Sequence, residues 1–185
     1  YHVLAVSARS AWAVGQALDR HLSALTDTVE VLAGSRHLLS GDLKVFGELA
    51  REAASQSKGH FVLIDRSMRQ LVNTRVATDA ALPLTGNPTD VKRVFESGKT
   101  VITDLRQSAV VQTQVIAINI PVSVEGEVKY VLGHVPATDT ILNIIRTTYR
   151  PEGWLATVVD GSGVVLARSQ QHEIFYGKRS NYFSQ

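Results

Sequence analysis

The stretch GHFVLIDRSMRQLVNT, residues 59–74, places two short apolar runs on either side of a polar turn. After Gly59 the hydrophobic period changes from helical to strand-like. Phe61-Val62-Leu63-Ile64 and Leu71-Val72-Asn73-Thr74 read as strands, and Asp65-Arg66-Ser67 as the turn of a β-hairpin. Because a hairpin cannot bury its apolar face alone, the flanking sequence has to provide the rest of a layered domain.

On the N-terminal side, Leu22, Leu25, Val29 and Leu32 continue from Leu18 in steps of four and three. This is one stripe of an amphipathic helix whose other faces carry Asp19, Arg20, Asp27, Glu30 and Arg36. Gly41 suits the end of that helical stretch, and Asp42 can cap a second helix with Leu43, Phe46, Leu49, Ala50 and Ala53 inward, ending near Ser57-Lys58-Gly59. Residues Tyr1 to Ala17 are rich in Ala and Val but carry Arg9 and lack the pattern of a signal peptide; they read as the start of the helix, or as a helix emerging from a membrane span.

On the C-terminal side, Ala80 to Pro88 reads as loop, and Asp90 to Ser97 as a short helix closed by Gly98. Strands are expected at Val101 to Leu105, Val110 to Val122 and Val128 to Val135, the last two joined through Gly126. The order of two helices, hairpin, helix and three strands predicts an α+β fold with an antiparallel sheet of about five strands.

The hairpin recurs. Asp65 to Thr74 aligns without gaps on Asp160 to Ser169, with Asp65 on Asp160, Ser67 on Ser162, Leu71 on Leu166 and Thr74 on Ser169. A helix at Thr138 to Tyr149 and a strand at Trp154 to Val159 would open this second module, which is expected to be incomplete at Gln185. The organisation predicted is a helical segment over 1–58, a sheet-based module over 59–137, and a connecting helix with a partial second module over 138–185.

Composition narrows the function. Nineteen Lys and Arg against seventeen Asp and Glu leave a formal charge of +2, too small and scattered for a nucleic-acid face. The absence of cysteine excludes thiolate metal sites, thiol nucleophiles and disulfides. The apolar runs are broken by charge before the roughly 18 residues of a membrane span. Gly161-Ser162-Gly163 is not the elbow of a hydrolase, no phosphate-cradling loop is present, and the six histidines lack metal-site spacing, so neither catalysis nor a cofactor is expected.

The succession Leu22 to Leu32, Leu32-Ala33-Gly34-Ser35, Gly41-Asp42-Leu43, Phe46, Val62-Leu63-Ile64-Asp65 and Leu71-Val72-Asn73-Thr74 resembles the Cache, or PDC-type, sensor domains. More narrowly it resembles the extracytoplasmic regions of alphaproteobacterial sensor histidine kinases. The resemblance extends through Leu82-Pro83, Phe95 to Val101 and Ile120-Pro121-Val122. It implies a long N-terminal helix along a PAS-like antiparallel sheet, a small-ligand pocket on the other sheet face, a second module nearer the membrane, and a periplasmic location in a membrane-tethered receptor. The Arg-x-Trp pattern that marks the amino-acid-binding members is not visible here.

Candidate ligand contacts follow from polar residues at strand ends and within apolar strands. Arg75 ends one strand, and Thr103, Asp104 and Arg106 lie at the end of another, positions that line the pocket mouth in the resembling family; Arg suits a carboxylate through paired N–H donors. Asn119 interrupts an apolar strand, where a backbone partner or a ligand would satisfy it. His134 shares a strand face with Tyr130 and Leu132, either as a core histidine with a partner or as a ligand contact. The expected partners are a small molecule, a carboxylate among the candidates, and a second copy of the chain through a helix within residues 18–39. The competing reading is a structural or dimerisation module without a small-molecule ligand.

Overall fold

A computed structural model describes residues 1–5, 8–77, 80–108, 113–137, 139–148 and 154–181. The chain divides into two compact units, residues 1–24 with 138–185 and residues 25–137. Strand β1 (His2–Ala5) precedes helix α1 (Ala8–Ala33), which contributes to both units, then α2 (Arg36–Leu39) and α3 (Leu43–Ser57). There follow β2 (Gly59–Asp65), β3 (Gln70–Asn73), α4 (Pro88–Ser97), β4 (Val101–Ile102), β5 (Arg106–Gln107), β6 (Gln114–Val115), β7 (Ile118–Val124) and β8 (Glu127–Pro136). The remainder is α5 (Thr140–Thr147), β9 (Ala156–Val159), β10 (Val165–Arg168) and α6 (His172–Phe175).

Local chemistry places the helices of the larger unit. Asp42 accepts a hydrogen bond from the Val45 N–H at the start of α3, and Gly41 before it takes the left-handed backbone that ends the preceding turn. Asn87 caps α4 by accepting from the Asp90 N–H, with Pro88 in the first turn and left-handed Gly98 at the end. The buried stripe of α1 runs Val14, Leu18, Leu22, Leu25 and Val29; at its end Ala33, not Leu32, is the inward residue.

The sheet of this unit has strand order β3-β2-β8-β7-β4 with every pair antiparallel. Pairing fixes its faces, because directly opposed residues project to the same side. One side carries Phe61 opposite His134, Leu63 opposite Leu132 and Val72, and Ile118 opposite His134. Helix α3 packs on this side: an added Cβ at Gly47 would lie 3.8 Å from Val72. The other side carries Val62, Ile64, Val101 and Val131, which cluster with Val91 and Val94 of α4. The expected strand over Val110 to Val122 is shorter and interrupted: residues 109–112 lie outside the described residues, and β5 and β6 form a separate two-stranded arm.

In the smaller unit β9 lies between β1 and β10, both antiparallel to it, with α5 and α6 packed on β10. Strand β1 falls in the segment expected to begin the helix; its partner, β9, comes from the far end of the sequence, a pairing that local pattern cannot reveal. The repeated hairpin is reproduced atom by atom. One Asp65 carboxylate oxygen accepts from the N–H groups of Ser67 and Arg69 and from the Ser67 hydroxyl, and Asp160 does the same for Ser162 and Val164. Thr74 and Ser169 close the hairpins alike, each hydroxyl accepting from the opposite backbone, Phe61 N–H and Ala156 N–H, both at 3.0 Å.

Gly59 opens β2 against β8, where a Cβ would stand 2.6 Å from the carbonyl oxygen of Val135. No rotamer relieves a clash with backbone. Gly59→Ala is expected to lower stability by about 1–3 kcal/mol, measured by urea denaturation.

Candidate functional site

The side of the sheet away from α3 holds a cavity of about 80 Å³ within residues 25–137. Its floor is sheet: His60, Val62 and Ile64 of β2, Asn73 of β3, Gly133 and Val135 of β8, and Asn119 of β7. Residues 85–87 and Val91 at the start of α4 form one wall, and Thr103, Arg106, Gln107, Ser108 and Val115 another. Taking roughly 10–15 Å³ per water, the space suits a few waters or a ligand of a few heavy atoms.

Two polar side chains stand out on the floor. His60 is 6% exposed and Asn119 4% exposed, and neither side chain has a hydrogen-bond partner among the described residues. Asn119 lies directly over Gly133, where a Cβ would sit 2.7 Å from its Oδ1, so glycine there is what allows the carboxamide to lie on the sheet. Of the two partners expected for Asn119, a backbone group or a ligand, no backbone partner is present among the described residues, and the residue lines the cavity. Burial, with a smaller contribution from the charge of Arg75, pushes the His60 imidazole down to about 4, so it is neutral at physiological pH.

Other polar groups of the wall are already engaged. Asn73 donates to Gln70 Oε1 at 2.7 Å and accepts from the Arg75 N–H, while Gln70 donates to the Leu84 carbonyl. Thr103 pairs with Ala117 through its backbone N–H and through its hydroxyl, which accepts from the Ala117 N–H. Arg106 stands at the rim, half exposed. Its guanidinium is 3.6 Å from Asp90 and 3.9 Å from Asp104, beyond hydrogen-bond length, and it donates one hydrogen bond, to the Leu105 carbonyl. Four of its five N–H donors make no hydrogen bond, although its charge is shared with Asp90 and Asp104.

Of the six residues singled out from sequence, Thr103, Arg106 and Asn119 line this cavity together. Asp104 is not among the lining residues and stands 3.9 Å from the Arg106 guanidinium. Arg75 is exposed and not on the wall, though its charge is felt by His60. The placement of His134 needs correction: it projects to the α3 side, with its ring 4.7 Å from that of Phe61 and its Nε2 3.1 Å from the Ser57 hydroxyl. Strand period alone could not choose between the two faces of β8, since both are apolar. His60 was missed for the same reason; its pairing with Val135, not its neighbours in sequence, puts it on the cavity floor.

No family model and no curated protein matches the chain. Solved structures do. The ligand-binding domain of the Campylobacter jejuni chemoreceptor Tlp3 in complex with 4-methylisoleucine superposes with a TM-score of 0.72 at 12% identity, covering 91% of this chain and 69% of that one. The fold is that of the Cache/PDC ligand-binding domains. The Pseudomonas aeruginosa amino acid chemoreceptor PctB, in complex with L-Arg, gives 0.68 at 17% identity over 88% of this chain and 68% of that one. The extracellular domain of the histidine kinase rpHK1S-Z16 gives 0.64 at 14% over 89% and 67%. Identities this low establish the Cache/PDC fold and leave function to the site itself.

Burial of neutral His60 carries a pH signature. Unfolding restores an ordinary imidazole near 6.5, so below that pH the unfolded chain binds the proton better. The stability associated with His60 is whole above about pH 6.5 and is lost as pH falls toward 4. In urea unfolding, His60→Gln is expected to remove about 2 kcal/mol of the wild-type loss between pH 7 and pH 5.

Proposed function

We propose that this chain is the extracytoplasmic ligand-sensing part of a membrane-tethered signal-transduction receptor, a sensor histidine kinase of the alphaproteobacterial type, and that the domain itself is not an enzyme. The observation that carries this reading is the cavity with two polar side chains on its floor, His60 and Asn119, that make no hydrogen bond among the described residues and face a space open to a small molecule. An interaction module would fill this space with its own side chains. The Cache/PDC domains with the same fold include ones solved with amino acids bound and one from a histidine kinase.

In this reading residues 59–137 form the ligand module, 1–58 the helical segment that relays its state, and 138–185 a connecting helix with a second module. Asn119, Thr103 and Arg106 contact the ligand together with His60. Asp104 faces Arg106, burial with a smaller contribution from Arg75 keeps His60 neutral, and His134 supports the sheet from the opposite face. Arg106 grips a carboxylate with the N–H donors that make no hydrogen bond within the chain, in competition with Asp90 and Asp104. Signalling requires that the ligand favour one of two conformations, since equal affinity for both shifts nothing.

A homodimer through residues 18–39 is part of the same proposal. Within the larger unit, Val31 is 79% exposed and borders an apolar groove with Thr28, Leu32, Leu49 and Ala53. Val31→Glu is expected to shift the chain from dimer to monomer in sedimentation equilibrium; a variant as dimeric as the wild type would remove this face from the interface.

A thermal-shift screen against small carboxylates, amino acids and related metabolites tests the sensor reading. A ligand at a hundred times its Kd adds about 2.7 kcal/mol to the folded state and raises Tm. The expected outcome is a saturable shift that Arg106→Ala abolishes. A folded, dimeric chain that responds to no compound would instead be a structural or dimerisation module.

A further inference from the structure

The sensor reading leaves open what kind of small molecule the cavity accepts, and the charges around it narrow the choice. We propose that the cavity takes a small carboxylate without an ammonium group, a 2-hydroxy acid of two to four carbons, and discriminates against the matching α-amino acid. This rests on the sensor reading above.

The argument begins with what the wall lacks. Among the described residues that line the cavity there is no Asp or Glu; its charged group is Arg106, with His60 neutral beneath. The nearest carboxylates, Asp90 and Asp104, are not on the wall and are engaged by cations and by Asn87. One Asp90 oxygen is 3.1 Å from Arg93 and the other accepts from Asn87 at 2.6 Å and faces Arg106, while Asp104 also faces Arg106. An α-ammonium group brought onto this floor would lose its water without gaining an anion, and would stand in the field of Arg106 and Arg75.

A hydroxyl meets no such difficulty. It can donate to the free nitrogen of a neutral imidazole or to the Asn119 carbonyl oxygen, and accept from the Asn119 amide, while the carboxylate turns to Arg106 at the rim. His60 and Asn119 are thus specificity-determining contacts: both offer hydrogen bonds, and neither offers charge. The cavity volume suits a ligand this small.

Calorimetric titration of the 185-residue chain with three matched pairs decides the matter: glycolate against glycine, L-lactate against L-alanine, and 2-hydroxybutyrate against 2-aminobutyrate. The expected result is saturable binding of at least one hydroxy acid, about tenfold or more tighter than its amino partner. An amino acid that binds as tightly as its hydroxy partner overturns this inference and leaves the sensor reading standing. If no member of any pair binds, the inference fails, and the thermal-shift screen decides the sensor reading separately. Asn119→Asp adds the missing anion without changing shape, and its expected effect is to move the affinity ratio about tenfold toward the amino acid. An unchanged ratio in a folded variant overturns the role given to Asn119; should the variant not fold, the wild-type pairs still decide.

Discussion

Strand β8 is hydrogen-bonded on both edges and buried on both faces, and the larger unit is arranged around that condition. From Tyr130 to Pro136 every residue is buried. Alternate side chains serve opposite layers: Leu132 and His134 meet the layer of α3, while Val131, Gly133 and Val135 meet α4 and the cavity. Each large apolar side chain buried in this way contributes about 1.5–3 kcal/mol. The cavity is a local exception on one side of this plate, opened where Gly133 has no side chain and Asn119 lies in its place.

Features governed by short-range chemistry were legible in the sequence. The Asp65 turn, the Asp42 cap and the Gly98 helix end are each decided within a few residues, and each is found where expected. The antiparallel α+β order followed from them. Features decided by distant partners were not legible. β1 is a strand because β9 receives it, and β5 and β6 are two-residue strands that no pattern of period two can mark. The candidate site divides similarly. Asn119 is conspicuous as one polar residue among aliphatic ones, and Arg106 as a cation at a strand end. His60 and His134 were indistinguishable until the register was known, because β2 and β8 carry no polar face against which to read them.

The two Asp hairpins show what a repeat holds in common when its surroundings differ. Both keep a carboxylate that gathers three donors, and both place the fourth residue of the turn in the left-handed region, Met68 in one and Gly163 in the other. Glycine takes that backbone freely, whereas methionine is strained by it. Met68 also packs against the cluster of Val62, Ile64, Val91, Val94, Val101 and Val131 under α4. The same turn geometry is thus reached through different balances of backbone and side chain.

Gly133 and His134 are neighbours with opposite demands. A slip of β8 by one position would drive an imidazole into the place where Asn119 needs bare backbone, and would leave a hole beneath Phe61. Sliding of this strand past its neighbours is therefore closed as a route for passing information from one face to the other. The register leaves room only for motion of the strands in concert, a tilt or flexing in which each keeps its partners.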